Sequence, residues 1–549
     1  MATIAVAQRL GAFFCSPAEP LNLAVFRIVV FTCLLRTLHH TDYVHLAEMP
    51  AALRVAPHGY EHVWQWIPFD LAWVVGVRRV ALVAGCAALI GWMTRSAAAV
   101  TCVCAVYLLG LPGWFGKINH VNHHLVWFSA LLAAAPSGDA LGIDAVHAAW
   151  RRADRADLAP PSAGAAYALP IRVAWLLIGV IYFFPGMWKL LACPAWLDSD
   201  SMRYLMYEHW ASKHFLPAVR IDRYPLLCSL GGLATIVFEL SFVFTLLFPW
   251  LRRLAVLGGI AFHWLTKVYL QIFFRNLLVC YAVFVDWQWL GARIGARLFA
   301  RDAVLTFDPD DPRHRRIVAL LLSLDLLRRL QCRPNSPATD RSDGKLMRVH
   351  VDGQTLSRGR NLLAIGLRIP LAVAAWPVFV ATWIVAPSGD AAALRAGDAS
   401  VKTPRLAPIL TVGGLLLAAN IYCGAMCINS WPFSVYPTFA QLHGPTQTVI
   451  EAVTRQPNGR THRMQVPIHS HAQHRILEQS PAERAAALQG LADLLASEPR
   501  KVRPGDVLQL YEVTRSIVPE ERSRSPLREQ LLAEFRFGDS VPAHAEPLR

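Results

Sequence analysis

Long apolar runs constrain this chain more than any other feature. They lie near residues 23–41, 71–92, 95–111, 122–136, 169–191, 227–250, 254–285, 362–386 and 406–428. A helix that crosses a bilayer needs about 20 apolar residues. Every backbone polar group at that depth must be bonded within the chain. The pattern predicts a mainly α, polytopic membrane helix bundle of about nine spans. Composition agrees, with 54% hydrophobic and 17% charged residues against roughly 25% charge in soluble globular chains. Charges inside the runs, such as Arg78, Arg79, Lys267 and Arg275, are expected to face the bundle rather than lipid.

The net charge is +15. A basic excess on a membrane protein marks cytoplasmic loops and contact with anionic membrane lipid. No nucleic-acid-binding motif accompanies it, so nucleic acid is not an expected partner. The 11 cysteines are too sparse for a disulfide framework. Most sit inside apolar runs and read as small buried hydrophobes. No cleavable signal is evident, and residues 1–20 read as an amphipathic helix on the membrane surface.

Four regions follow from the pattern: a bundle over 1–290, a basic unit over 291–360, two more membrane segments over 361–430, and a soluble region over 431–549. The loop 137–168 reads as a solvated connection, and 192–226, rich in aromatics and prolines, as a cover over one mouth of the bundle. In the arginine-rich unit, "AVLTF" reads as a strand, "RRIVALLLSLDLLRRL" as a helix and "LMRVHV" as a strand ending in the turn "DGQ". This small α/β unit is placed in the cytoplasm by its positive charge. Beyond 431, "TQTVIEAVTR" and "VLQLYEVTR" read as strands. "SPAERAAALQGLADLLASE" reads as a helix capped by Ser480 with Glu483 three residues on. This α+β tail is expected on the same side as the basic unit, because two spans precede it.

Three groups of residues are candidates for chemistry. In "GKINHVNHHLVW", His120, His123 and His124 have the spacing i, i+3, i+4 of one helical face. Lys189 follows "YFFPGMW" at the end of an apolar run. Glu239 in "FEL" and His263 in "AFH" lie in consecutive apolar segments. Ionisable groups at membrane depth cost roughly 2.5–3.5 kcal/mol, so each needs a partner or a task. The alternatives are structural: neutral hydrogen-bonded histidines, a lysine that snorkels beside an anchoring Trp188, and a Glu239 paired with Arg27 or Arg275. The spacing of His120, His123 and His124 also matches one histidine box of membrane di-iron enzymes, although the only other adjacent pair is His39 and His40. Cys423 and Cys427 are one helical turn apart, a spacing that rarely reaches disulfide geometry.

The blocks "NLAVFRIVVF", "NHVNHHLVWFSALLAAAPSGDALGID", "IYFFPGMWKL" and "FELSFVFTLLFPWLRRLAVLGGIAFHWLTKVYLQIFF", in this order, resemble the horizontally transferred transmembrane (HTTM) domain family over about residues 15–290. Vitamin K-dependent γ-glutamyl carboxylase belongs to that family. The resemblance implies a multi-pass protein of a bacterial inner membrane and a reduced vitamin K-type quinone as cofactor. It places a catalytic base on Lys189, with Trp188 where that enzyme has another lysine. It places Asn122 and His123 on the enzyme's stretch that holds a functional histidine. A lysine in water, with a pKa near 10.4, is charged and no base; burial lowers the value, and a neutral amine could then deprotonate a quinol. Tyr182, Phe183, Phe184 and Trp188 would wall the quinone pocket, and His120, His124, Glu239 and His263 would take part in binding. The reaction implied is quinol- and oxygen-linked carboxylation or epoxidation. The alternative is a non-enzymatic scaffold or transport protein that binds lipid or quinone in the bundle.

The second unit, "VLTFDPDDPRHRRIVALLLSLDLLRRL" with "VHVDGQTLSRGRNLLAIGLRIP", resembles the DCC thiol-disulfide oxidoreductase-like family, a thioredoxin-type unit. The two cysteines of that family's CxxC fall on Asp311 and His314, and only Cys332 lies nearby. The resemblance implies a scaffold without redox chemistry, serving as a docking or regulatory module for a protein partner. Asp308, Asp310, Asp311 and His314 read as an exposed acidic turn in preference to a metal site.

Overall fold

The apolar runs become helices wherever glycine, proline and charge leave them unbroken. The computed structural model describes residues 11–335, 347–385, 406–435 and 444–537, apart from 12, 15, 61, 63–65, 116–117, 119, 193, 352–353, 357, 469, 498–501, 504 and 525. The expected surface helix at the N-terminus and the "DGQ" turn fall largely outside the described residues. In chain order the bundle contains α1 (Pro20–His40), α2 (Leu71–Ile90), α3 (Thr94–Gly110), α4 (His123–Ala134), α5 (Ile143–Ala153), α6 (Ala165–Leu191), α7 (Ser199–Lys213), α8 (Pro225–Thr245), α9 (Pro249–Leu270), α10 (Arg275–Cys280) and α11 (Trp287–Leu298). The insert adds β1 (Ala303–Phe307), α12 (Pro312–Leu324), β2 (Leu330–Pro334), β3 (Arg348–Val351), β4 (Gln354–Thr355), α13 (Arg358–Arg368) and α14 (Trp376–Val385). The long α15 (Ala407–Ala425) leads to β5 (Thr446–Arg455), β6 (Thr461–Gln465), α16 (Ser470–Glu478), α17 (Pro481–Ala496), β7 (Val507–Ser516) and β8 (Arg528–Arg536).

Among the described residues, 6 helices are long and apolar enough to cross a membrane: α1, α2, α3 with its extension to Phe115, α6, α8 and α15. A further pair, Arg275–Phe284 with Trp287–Leu298, is bent by 70° and counts as a seventh only if taken as one broken span. By length and apolarity, three of the nine expected runs do not yield a spanning helix among the described residues, each for a local reason. The run 122–136 yields only the 12-residue α4, about 18 Å of helix at 1.5 Å per residue. The run 254–285 breaks at Gln271, whose φ is 53°, and α9 carries Arg252, Arg253 and Lys267. The run 362–386 splits at Pro370 into α13, a single turn and the 10-residue α14. The loop 137–168, expected to be a plain connection, contains α5.

The buried guanidinium of Arg27 ties the first span to the 137–141 turn. It donates to the carbonyls of Ser137 at 2.6 Å, Ala140 at 3.2 Å and Leu141 at 2.5 Å. A planar fork with five N–H donors satisfies three carbonyls at once where a lysine would not.

The insert is a four-stranded sheet in the order β2-β1-β3-β4. β1 pairs parallel with β2 across α12, and antiparallel with β3, which pairs antiparallel with β4. Its core holds Leu305, Phe307, Val318 and Val349 with Ala364 and Ile369, so the unit runs beyond residue 360. The C-terminal sheet has the order β6-β5-β7-β8, antiparallel throughout. It is covered by α17, whose capping box joins Ser480 and Glu483.

The two small units lie on opposite faces of the bundle, which corrects the expected side of the C-terminal region. The insert sits where α1 and α6 begin: Arg328 bonds Glu19 at 2.7 Å and Arg316 bonds Asp154 at 2.8 Å. Rather than crossing, α14 packs on this face, with Trp150 donating to Thr382 at 3.2 Å. Among the described residues the crossing that remains is α15, which runs parallel to α6: Gly413 meets Val173 and Gly424 meets Phe184. The C-terminal unit therefore stands where α6 ends. There it docks on the 192–226 segment, which covers this mouth as expected. Ile517 joins the Trp196–Trp210 cluster, Arg220 bonds Glu520 at 2.9 Å, and Arg522 donates to the Trp210 carbonyl at 3.1 Å.

Candidate functional site

Small residues bring α6 and α8 close together. Gly179 and Gly186 lie seven residues apart on one helical face. A Cβ at Gly186 would meet the Glu239 Cβ at 2.8 Å, and one at Gly179 would meet Val243 at 3.0 Å. This is the close backbone approach by which membrane helices pack. It sets Lys189 against Glu239. The ammonium Nζ lies 2.7 Å from both carboxylate oxygens, and the two side chains are 0% and 5% exposed. The Trp196 ring lies 5.3 Å from the same nitrogen. Lys189 thus turns inward and does not snorkel. Neither Arg27 nor Arg275 is the partner of Glu239: Arg27 serves the 137–141 turn, and the Arg275 guanidinium lies 5.8 Å from the Phe273 ring.

The three histidines do not continue one regular helix, although the His120 and His123 rings lie 5.3 Å apart. His120–Asn122 forms a tight 3-10 turn, and α4 begins only at His123. His123 turns toward the segment that follows α15: its Nδ1 lies 3.1 Å from the Pro432 carbonyl, and its ring 4.6 Å from that of Trp431. Trp127 Nε1 donates to the same carbonyl at 2.8 Å. Asn122 accepts from Asn276 at 3.3 Å, and Asn276 also donates to Thr37 at 3.0 Å. These bonds hold the start of α4 against α1 and α10.

His120 and His124 line a small cavity together with Tyr182, Pro185, Glu239, His263, Phe262 and Phe274. Its volume is about 40 Å³, room for water-sized groups. Pro185, inside α6, lacks the N–H that would close the helical turn back to Ile181. The Tyr182 hydroxyl lies 2.7 Å from His263 Nε2 and 2.5 Å from the Tyr281 hydroxyl. Among the described residues His124 Nε2 and His263 Nδ1, both buried, find no hydrogen-bond partner, and both rings border the cavity. Such groups are costly unless something polar joins them.

The structure thus gathers His120, His124, Tyr182, Glu239 and His263 around one cavity. Lys189 stands behind it through Glu239, and Asn122 and His123 stand to one side. Trp188 points away and donates to the Gly424 carbonyl at 2.9 Å. Phe184 lies against Gly424 and Phe183 against Phe244, so of the expected quinone walls only Tyr182 reaches the cavity. Tyr281, Asn276 and Pro432 are contributors that the sequence did not single out. Asn276, following Arg275 in "FFRNLL", is the one with a legible signal, a polar pair inside an apolar run.

Among the described residues no group of three His, Cys, Asp or Glu side chains could hold a metal ion. This applies to the histidine cluster and to Asp308, Asp310, Asp311 and His314. In that turn, His314 Nδ1 accepts from the Asp308 N–H at 3.3 Å. Burial pushes the Cys332 thiol up to about 12, so it is no nucleophile at neutral pH. Cys423 and Cys427 are free thiols.

A family model described as the HTTM domain matches residues 15–289. No curated protein matches the chain, and no solved structure matches it.

Proposed function

The chain belongs to the HTTM domain family. On that premise we propose that this integral membrane protein acts on a reduced quinone in the manner of vitamin K-dependent γ-glutamyl carboxylase, with Lys189 and Glu239 as its proton-exchanging pair. One observation carries the reading. A buried amine is bonded to a carboxylate that itself lines a cavity where two imidazole nitrogens stand without partners.

The polar groups fit a quinol hydroxyl. His124 Nε2 and His263 Nδ1 would hold it, and Glu239 is the carboxylate within the same cavity. A reduced quinone bound there supplies a hydroxyl proton and two electrons for oxygen. Lys189 does not border the cavity and would act through Glu239: from the neutral pair, the Glu239 acid passes its proton to the amine and its carboxylate takes the quinol proton, leaving an ammonium and a quinolate. In apolar surroundings separated charges are expensive, so a neutral amine–carboxylic acid pair competes with the ion pair. At about 40 Å³ the cavity takes water-sized groups, so a two-ring head group requires its walls to open. The reading covers oxygenation of the quinol; the acceptor of any carboxylation is left open.

The second reading is a non-enzymatic scaffold or transport protein that binds lipid or quinone. It is favoured by the same pair, since both oxygens of Glu239 lie 2.7 Å from Lys189 Nζ, an arrangement that can serve packing alone. On either reading we place the protein in a bacterial inner membrane with its basic insert in the cytoplasm. We read that insert as a thioredoxin-like, DCC-type unit without its dithiol, a docking module for a protein partner. The β2-β1-β3-β4 order, with α12 joining the parallel pair, supports this. Asp311 and His314 stand at the start of α12, where the thiols of that family would be.

The test is aerobic epoxidation of a reduced naphthoquinone by protein in lipid, beside a Lys189→Met/Glu239→Gln double variant that leaves no lone buried charge. Epoxide made by the native protein and lost in the variant supports the enzyme. A folded native protein that binds the quinol and makes no epoxide sinks it in favour of the second reading.

A further inference from the structure

A second cavity lies at the edge of the bundle, outside the site above. It has a volume of about 470 Å³, within the usual range for small-molecule sites. It is lined by Arg54, Ile67, Phe69, Asp70, Trp114 and Ala47. The guanidinium of Arg54 lies over the Phe69 ring at 4.2 Å. Its Nη2 reaches the carbonyls of Ala47 and Met49 only at 3.5 and 3.4 Å, and its buried Nε has no partner. Among the described residues Arg54 forms no ion pair. A guanidinium held flat by an aromatic ring, with donors to spare, suits a phosphate.

Asp70 marks the depth of this cleft. Its Oδ1 accepts from the Trp73 N–H at 2.8 Å and caps α2, one of the membrane spans. Only 22% of that span is buried within the protein, and Val80, Val83 and Ile90 leave an exposed apolar side on it. Trp66 and Trp73, 73% and 51% exposed, flank the cap as interfacial tryptophans do. The cleft therefore opens at head-group level, with one positive and one negative group in it.

We propose that this cleft binds the head group of a zwitterionic phospholipid. Arg54 takes the phosphate, Asp70 takes the amine, and the acyl chains run down the exposed side of α2. A zwitterion satisfies both charges, whereas an anionic lipid leaves Asp70 opposed.

The experiment is native mass spectrometry of the full-length protein after incubation with an equal mixture of phosphatidylethanolamine and phosphatidylglycerol. The expected result is preferential retention of phosphatidylethanolamine. In Arg54→Gln, retention of either lipid falls about tenfold or more, the worth of one charge-assisted hydrogen bond. In Asp70→Asn, which keeps a helix cap, lipid stays bound and the preference for the ethanolamine head group disappears. Equal or better retention of phosphatidylglycerol by the native protein overturns the proposal, as does unchanged lipid binding in Arg54→Gln with an unaltered melting curve. Displacement of the lipid by millimolar inorganic phosphate would overturn it too, by making the cleft a site for free phosphate.

Discussion

Lys189 and Glu239, fifty positions apart in sequence, meet with Nζ 2.7 Å from each carboxylate oxygen at a point where neither is open to solvent. The pair makes a testable demand on stability. Removing one partner strands the other charge, at a cost of about 3–5 kcal/mol, whereas removing both is far milder. Lys189→Met and Glu239→Gln are each expected to lower the unfolding midpoint sharply, and the double variant to recover most of the loss. Additive losses in that cycle would show that the two groups do not depend on each other.

The Tyr182 hydroxyl joins His263 and Tyr281. Tyr182→Phe keeps the ring and removes both bonds. The expected destabilisation is about 1–3 kcal/mol, the cost of leaving buried polar groups unsatisfied. Denaturant titration in detergent measures it. A Tyr182→Phe protein as stable as the native one would mean that water replaces the hydroxyl.

Arg27→Lys retains the charge but loses the fork that serves Ser137, Ala140 and Leu141. The structure predicts a loss of more than about 2 kcal/mol. Faster hydrogen exchange should appear across residues 137–142. Exchange unchanged in that turn would remove Arg27 from its proposed role as a staple.

Asp222 should make the docking of the C-terminal unit sensitive to acid. Burial alone would raise its carboxyl, but the bonds from Arg220 and Tyr207 outweigh burial and hold it below the ordinary value. For a carboxylate depressed in the folded state, the stabilisation is fully present above the ordinary pKa of about 3.9. It is lost as pH falls through the lower folded value. Arg220 also bonds Glu520 at 2.9 Å, so protection of residues 517–524 in hydrogen exchange is expected to hold at neutral pH and to fail below about pH 4. Asp222→Asn should weaken that protection already at pH 7. A flat pH profile in the native protein counts against the coupling.

The opposite placement of the two small units can be read by thiol labelling. Asp310→Cys in the insert and Arg524→Cys in the C-terminal unit should react with an impermeant reagent from opposite sides of the membrane. By the positive-inside rule, only the second should react in intact cells. Both reacting from one side would mean that α15 is not the lone return crossing.

Much of this molecule was legible in its residues. Apolar length identified the six strong spans, because a bilayer filters for length and hydrophobicity and little else. Alternation and turn residues marked β1, β5 and β7, and the Ser480–Glu483 box marked the start of α17, because these signals act within a few residues. The charged and polar residues in the apolar runs were visible as candidates for the same reason: each is expensive where it stands.

Partnership was decided only in three dimensions. Nothing in the sequence pairs Lys189 with Glu239 rather than Glu239 with Arg27, since that depends on how closely Gly179 and Gly186 let α8 approach. Spacing assumes an unbroken helix, but the helix begins at His123, and packing sends His123 to the Pro432 carbonyl while His120 and His124 border the cavity. The side on which the C-terminal unit lies turned on whether 362–386 crosses the membrane. Pro370 breaks that run, and the insert offers α14 a surface on which to pack. Length and hydropathy are properties of a segment and can be read from it. Contacts, register and sidedness belong to pairs of segments, and only the tertiary structure brings those pairs together.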